Sequence, residues 1–207
     1  MPRLAGLFRI PLRVPHGIAL TFDDGPHAQG TPAVLEQLER AGVKATFYLV
    51  GEQVARRPSL AAEIAAAGHE IGIHGHRHVL LLRRAPGALR ADFDRAEAVI
   101  GEATGVNSLS YRPPYGVFSL AGLALARERW SPLLWSHWGR DWERRATPNT
   151  IAARATRGLG PGAVVLLHDS DAYSVESSWR QTAAALPAVL TAALETGEPF
   201  VTASQST

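Results

Sequence analysis

Two groups of residues in this sequence have the types and spacing to do chemistry. Asp23 and Asp24 are adjacent in Thr21-Phe22-Asp23-Asp24-Gly25-Pro26, and His74, His76 and His78 fall within five residues of a chain that has eight histidines in all. Side-by-side carboxylates repel each other and are stabilised most simply by a cation, while Gly-Pro fixes the turn around them. Histidines four apart share a face where the backbone turns helically, and an extended backbone aligns all three, so His74 and His78 can reach one ion. Each motif also has an ordinary reading. Asp-Gly-Pro is common in solvated turns, and the histidines would equally serve as a surface cluster or as satisfied core side chains. The chain has no cysteine, so any metal must be held by His, Asp or Glu, and thiolate nucleophiles and disulfides are excluded.

Three further fragments carry charged, imidazole or aromatic groups: Tyr111-Arg112-Pro113-Pro114-Tyr115-Gly116, the stretch Trp135 to Trp142 with Asp141 near its end, and Leu166-Leu167-His168-Asp169. What could bring them together is visible in the pattern of the whole chain. Short apolar, β-rich runs alternate with helical patterns, the signature of parallel strands joined by crossover helices. Seven strands are expected: Ile18 to Phe22, Ala45 to Val50, Glu70 to Ile73, Ser108 to Tyr111, Pro132 to Trp135, Val164 to Leu167 and Phe200 to Thr202. Thr31-Pro32 and Thr147-Pro148 read as helix N-caps followed by proline in the first turn, and Gly42 and Gly68 sit where helices should stop. Leu89, Phe93, Ala96 and Ile100 form an inward stripe on one helix.

The expected fold is α/β: a single-domain distorted (β/α) barrel with about seven parallel strands, covering residues 1–207 with a core of about 17–201. A doubly wound open sheet is the alternative. Both folds collect functional groups at the carboxyl ends of their strands, so the motifs at five strand ends should face one mouth.

Composition narrows the partners. With 207 residues and 46% hydrophobic content the chain can bury one sizeable core, and 21 basic against 19 acidic residues leave a net charge of +2. The arginine pairs are scattered and form no stripe interleaved with aromatics, so no nucleic-acid partner is expected. No apolar run reaches the ~18 residues of a membrane span. The sequence shows no signal peptide, which points to the cytoplasm, or to export if a leader has been removed; oligomeric state is not legible.

In order and type, TFDDGP, the His74/His78 pair, RPPYG, Asp141-Trp142 and LLHD resemble the polysaccharide deacetylases, carbohydrate esterases of family 4 built on the NodB-like domain, over roughly Gly17 to Val201. The resemblance implies a metal-dependent hydrolase that removes acetyl groups from an N-acetylated carbohydrate. It implies Asp24, His74 and His78 as ligands of one divalent metal, zinc fitting best, with cobalt, nickel, manganese or iron suited to the same donors. Asp23 would be the general base, with Arg112 beside it, and His168 the general acid, with Asp141 beside it. A backbone N–H at Tyr115 would share the developing oxyanion with the metal, and Trp142 and Leu166 would wall a small acyl pocket. Tyr115, Trp138 and Trp142 also offer faces for a sugar ring.

Two positions depart from the family pattern. Gly75 stands where a Ser or Thr hydroxyl helps orient the second histidine, a role His76 would take over, and Trp138 replaces an upstream Asp. Related readings are a hydrolase of the same fold acting on another linear amide or cyclic imide, and a non-catalytic carbohydrate-binding relative. The presence of both Asp23 and His168 speaks against the latter.

Overall fold

Alternation along the strands decides which side chains meet the helices and which meet each other. In β1 (Ile18–Asp23), Ile18, Leu20 and Phe22 join one large apolar cluster with helical residues such as Val34, Leu38 and Leu186. Ala19 belongs instead to a second cluster, with Tyr48, Leu133 and Val164, so with a period of two Thr21 and Asp23 face that second, inner side as well. The same division holds in β2 (Thr46–Leu49), where Phe47 and Leu49 meet helices and Tyr48 faces inward. Gly72 in β3 (Glu70–Ile73) makes room for that tyrosine: a Cβ there would lie 2.5 Å from the Tyr48 ring.

The computed structural model describes residues 5–6 and 8–204. The remaining strands are β4 (Ser110–Tyr111), β5 (Ser131–Pro132), β6 (His137–Trp138), β7 (Ala163–His168) and β8 (Phe200–Val201). All of these strands pair in parallel, in the order β5-β4-β3-β2-β1-β7-β6. β1 to β5 follow one another on one side, and β6 and β7 return to β1 from the other, which is the cyclic order of a (β/α) barrel rather than of a doubly wound sheet. No strand pairing joins β5 to β6 among the described residues. The N-terminal segment lies at that seam, where Pro11 O accepts from Leu134 N at 3.0 Å and Arg13 bridges to Ala163. β8 shares an edge of β1 with β2: it pairs at Ile18 and Ala19, whereas β2 pairs from Thr21 onward.

The outside is covered by the α-helices α1 (Gly30–Ala41), α2 (Gly51–Arg56), α3 (Pro58–Ala66), α4 (Pro86–Thr104), α5 (Leu120–Arg127), α6 (Pro148–Ala155) and α7 (Ser178–Glu195). Gly42 ends α1 at φ 66°, a left-handed conformation that glycine adopts without penalty. Thr147 caps α6 in a reciprocal box with Thr150, as expected, and the Leu89, Phe93, Ala96, Ile100 stripe of α4 is buried.

The sequence reading needs correction at three points. A two-residue strand at His137–Trp138 was not foreseen, and β5 is shorter and earlier than Pro132 to Trp135. Thr31 does not cap α1, which starts at Gly30 with Gln29 in the N-cap position. The Thr31 hydroxyl accepts from His27 N at 2.7 Å and donates to the buried Asp169 carboxyl, so a tertiary contact has taken the group that would have capped. No helix among the described residues is long and apolar enough to cross a membrane.

Candidate active site

Strand register sets the site. The last residue of β1, Asp23, is the pairing partner of the last residue of β7, His168, and the same Asp23 pairs with Tyr48 on β2. The chain then turns sharply: Asp24 adopts φ 79°, rare for any residue but glycine, and leads into a cis Gly25-Pro26 bond. Asp169 packs so tightly against Gly25 that a Cβ there would lie 2.4 Å from its carboxylate oxygen. Burial raises the Asp169 carboxyl to about 7, despite the opposing hydrogen bond from Thr31.

Asp24 Oδ1 faces two imidazoles, His74 Nε2 at 3.4 Å and His78 Nε2 at 3.3 Å. One donor atom from each of the three residues lies within 4.8 Å of the others. His74 comes from the end of β3, and its Nδ1 lies 2.7 Å from the Arg112 carbonyl. A carbonyl only accepts, so Nδ1 carries a proton and in the neutral ring Nε2 presents its lone pair to Asp24. The Asp24 Oδ1 atom is buried without a hydrogen-bond partner. Burial works to raise the Asp24 pKa, but the contact with His74 and the charges of His168 and His78 outweigh it and hold it at about 2. Burial, only partly offset by Asp24, lowers His78 to about 4, which favours its neutral, ligating form.

A carboxylate oxygen and two imidazole nitrogens facing one another across 3.3–3.4 Å form a donor set able to share a cation. Ligands about 2.1 Å from one ion at tetrahedral angles stand about 3.4 Å apart. The residues therefore fit a divalent metal.

Arg112 follows β4 and is wholly buried. Its Nη1 donates to Asp23 Oδ1 at 2.7 Å and Thr21 Oγ1 at 2.8 Å, while Nε and Nη2 donate to the carbonyls of Leu133 and Leu134 at 3.2 and 2.9 Å. The guanidinium also lies 4.1 Å over the Tyr48 ring. These partners are what make a buried cation tolerable. They fix one Asp23 oxygen and leave Oδ2 toward the cavity, 3.8 Å from His74 Nε2.

On the opposite wall, His168 Nδ1 lies 2.9 Å from Asp141 Oδ1. Asp141 Oδ2 accepts from the His168 backbone N–H at 2.6 Å and from Thr182 Oγ1 of α7 at 2.8 Å. Burial opposes the His168 charge, but Asp141, through both its charge and its hydrogen bond, raises the imidazole to about 10. Its Nε2 is 4.0 Å from Asp24 Oδ2.

A cavity of about 440 Å³ joins these walls. Asp23, Asp24, His74, His78 and His168 line it, and so do the expected Tyr115, Trp142 and Leu166. Arg112 and Asp141 stand behind the lining and act on it through Asp23 and His168. Motifs from five strand ends thus meet at one mouth, with Asp141 following β6 rather than β5. The three tryptophans make a chain of rings, Trp135 to Trp138 at 5.9 Å and Trp138 to Trp142 at 5.6 Å, ending on His168.

Sequence reasoning overlooked Tyr173 and Ser174, which line the same cavity from the loop after β7. Their position in a loop at the carboxyl end of a strand was the one available signal. His76 does not take the role expected of it. It packs against Gly51, where a Cβ would lie 2.5 Å from its Nδ1, and the His78 Nδ1 is left buried and unpartnered.

The chain matches the family model described as polysaccharide deacetylase over residues 14–128. It is 33% identical over 186 residues to a peptidoglycan-N-acetylglucosamine deacetylase of Listeria monocytogenes, covering 89% of this chain and 37% of that protein. It is 36% identical over 154 residues to a chitooligosaccharide deacetylase of a Bradyrhizobium species, covering 73% of this chain and 70% of that one. Among solved structures, a peptidoglycan N-acetylglucosamine deacetylase in complex with an N-hydroxybenzamide compound superposes with a TM-score of 0.88 at 26% identity, covering 98% of this chain and 95% of that chain. The chain thus spans little more than a third of the Listeria protein's length.

Proposed function

Because the chain belongs to the polysaccharide deacetylase family, we propose that it hydrolyses the acetamido group of an N-acetylated carbohydrate, releasing acetate and a free amine. The observation that carries this reading is the pairing of Asp23–Arg112 and His168–Asp141 on either side of one group of three residues able to hold a metal. Asp24, His74 and His78 would hold the metal, and zinc suits a set of two imidazoles and one carboxylate best. When bound there, such a cation supplies Lewis acidity toward the amide carbonyl oxygen and toward water.

The chain's own groups do the rest. Asp23 Oδ2, held by the Arg112 grip on its other oxygen, removes a proton from the attacking water. A backbone N–H at Tyr115 donates to the carbonyl oxygen as it gains negative charge. His168, kept protonated by Asp141, gives its Nε2 proton to the nitrogen as the C–N bond breaks, so the amine leaves neutral. Leu166 and the Trp142 ring bound the space for the acyl methyl. Trp138 and Tyr115 offer apolar faces to sugar rings at the cavity mouth.

The direct test is hydrolysis of an acetylated chitooligomer, a peptidoglycan fragment, a small acetylated sugar and a cyclic imide, with acetate release followed for the first three, by metal-loaded chain and by Asp24→Asn. Metal-dependent release from at least one, lost in the variant, supports the reading. Hydrolysis confined to cyclic imides would replace it with the imide-hydrolase reading, and binding of sugar without turnover would reject it.

A further inference from the structure

The two imidazoles of the candidate metal site are held by different means. The His74 Nδ1 is fixed by the Arg112 carbonyl at 2.7 Å, whereas the His78 Nδ1 is buried with no hydrogen-bond partner. A metal-ligating histidine is normally oriented through its second nitrogen. Residue 75 cannot easily supply a side chain to do so. Gly75 stands at φ 84°, and a Cβ there would meet the Arg77 carbonyl at 3.2 Å and Asp92 Oδ2 at 3.3 Å.

Aromatic rings occupy the faces of His78 instead. Tyr173 stacks on it with centroids 4.2 Å apart and planes inclined by 13°, and Tyr115 meets it edge-on at 4.5 Å and 61°. Tyr115 is 54% exposed, but Tyr173 is tied down. Its hydroxyl donates to Glu52 Oε1 at 2.6 Å and accepts from Gln53 Nε2 at 3.0 Å, both on α2. Gln53 is itself buried, and its Oε1 accepts from Arg57 Nη1 at 3.0 Å. The proton and a lone pair of the phenol are thus both engaged. A stacked ring anchored in this way restricts rotation of the His78 plane and leaves Nε2 aimed at Asp24.

We propose that Tyr173 is a positioning residue, which orients the His78 imidazole for metal binding by stacking where no hydrogen bond to Nδ1 is made. The inference rests on the reading of His78 as a metal ligand. The loop after β7 then has two duties: it follows directly from His168, and five residues later it clamps a ligand on the far side of the site.

The test is titration of the full chain with cobalt(II), followed by its visible absorption, for wild type, Asp24→Asn, Tyr173→Leu and Tyr173→Phe, with circular dichroism as the check on folding. Should Asp24→Asn bind cobalt as tightly as wild type, the metal-site reading itself fails, whatever Tyr173 does. With that reading upheld, Tyr173→Leu is expected to weaken cobalt binding about 10- to 100-fold and to shift the absorption band. Tyr173→Phe, which keeps the stacked ring but loses its anchor to Glu52 and Gln53, should show a smaller but measurable loss, about threefold. Unchanged affinity in Tyr173→Leu overturns the proposal. So does a Tyr173→Phe loss as large as that of Tyr173→Leu, because the ring would then not be what holds His78. If the leucine variant does not fold, a cobalt titration of Tyr173→Phe unchanged in affinity and absorption band overturns the proposal, since the ring's anchor to Glu52 and Gln53 is gone.

Discussion

Asp141 grips His168 twice, taking the ring Nδ1 at 2.9 Å on one carboxylate oxygen and the backbone N–H at 2.6 Å on the other. A single side chain therefore sets both the charge of the imidazole and its position at the end of β7. Thr182 reinforces the grip from α7, so a helix packed outside the barrel helps to aim an imidazole inside it.

Under the proposed mechanism this arrangement should set the alkaline side of the pH profile. Although burial opposes the charge, Asp141 pushes the His168 imidazole up to about 10, against an ordinary 6.5. A cation held at Asp24 would pull the value down by repulsion, against the upward pull of Asp141. Under the same mechanism the sign for activity follows: turnover requires protonated His168 and should fall as pH rises through its pKa. Asp141→Asn, measured as kcat/KM against pH on the metal-loaded chain, should move the alkaline limb to lower pH. An unmoved limb would show that another group sets it. The stability linked to this proton has the same sense, being complete below the unfolded value and lost as pH rises through the folded one.

Arg112 should be costly to remove. Its loss strands the Asp23 carboxylate, buried at 2% exposure, and frees the carbonyls of Leu133 and Leu134 inside the barrel. Arg112→Leu is expected to lower unfolding stability by about 3–5 kcal/mol, because it breaks a buried pair and leaves one partner behind. Urea denaturation measures this. A loss below about 1 kcal/mol would mean that the pair contributes little.

Leu166 should control the size of the acyl group. Leu166→Ala enlarges the cavity beside Trp142 and should raise the ratio of propionyl to acetyl removal about tenfold or more, the usual scale for one methylene in an apolar pocket. Its stability should fall by about 2–5 kcal/mol, since the side chain is 2% exposed. A ratio that does not change would place the acyl methyl elsewhere.

Much of this was legible from local rules, and the failures share a cause. Alternation in β1 places Asp23 and Thr21 inside and Phe22 outside, because strand periodicity is a local property. The rule that functional groups lie at strand carboxyl ends then brings five motifs to one mouth. β6 escaped because two residues, His137 and Trp138, carry no period to detect. Thr31 was misread because its hydroxyl serves Asp169, 138 positions away, and a distant partner leaves no mark on local sequence. Tyr173 went unnoticed for the same reason: its meaning lies in Glu52, Gln53 and His78, all from other strand ends. The Gly75 departure was legible as a missing hydroxyl. That two aromatic rings flank His78 was not.

The account stands on one divalent ion shared by Asp24, His74 and His78. Crystals grown with zinc, with anomalous diffraction recorded at the zinc absorption edge, address it most directly. A single peak per chain about 2.0–2.2 Å from Asp24 Oδ1, His74 Nε2 and His78 Nε2 is the predicted result. A peak held by other residues, or zinc-loaded crystals with no peak between these three, would contradict it.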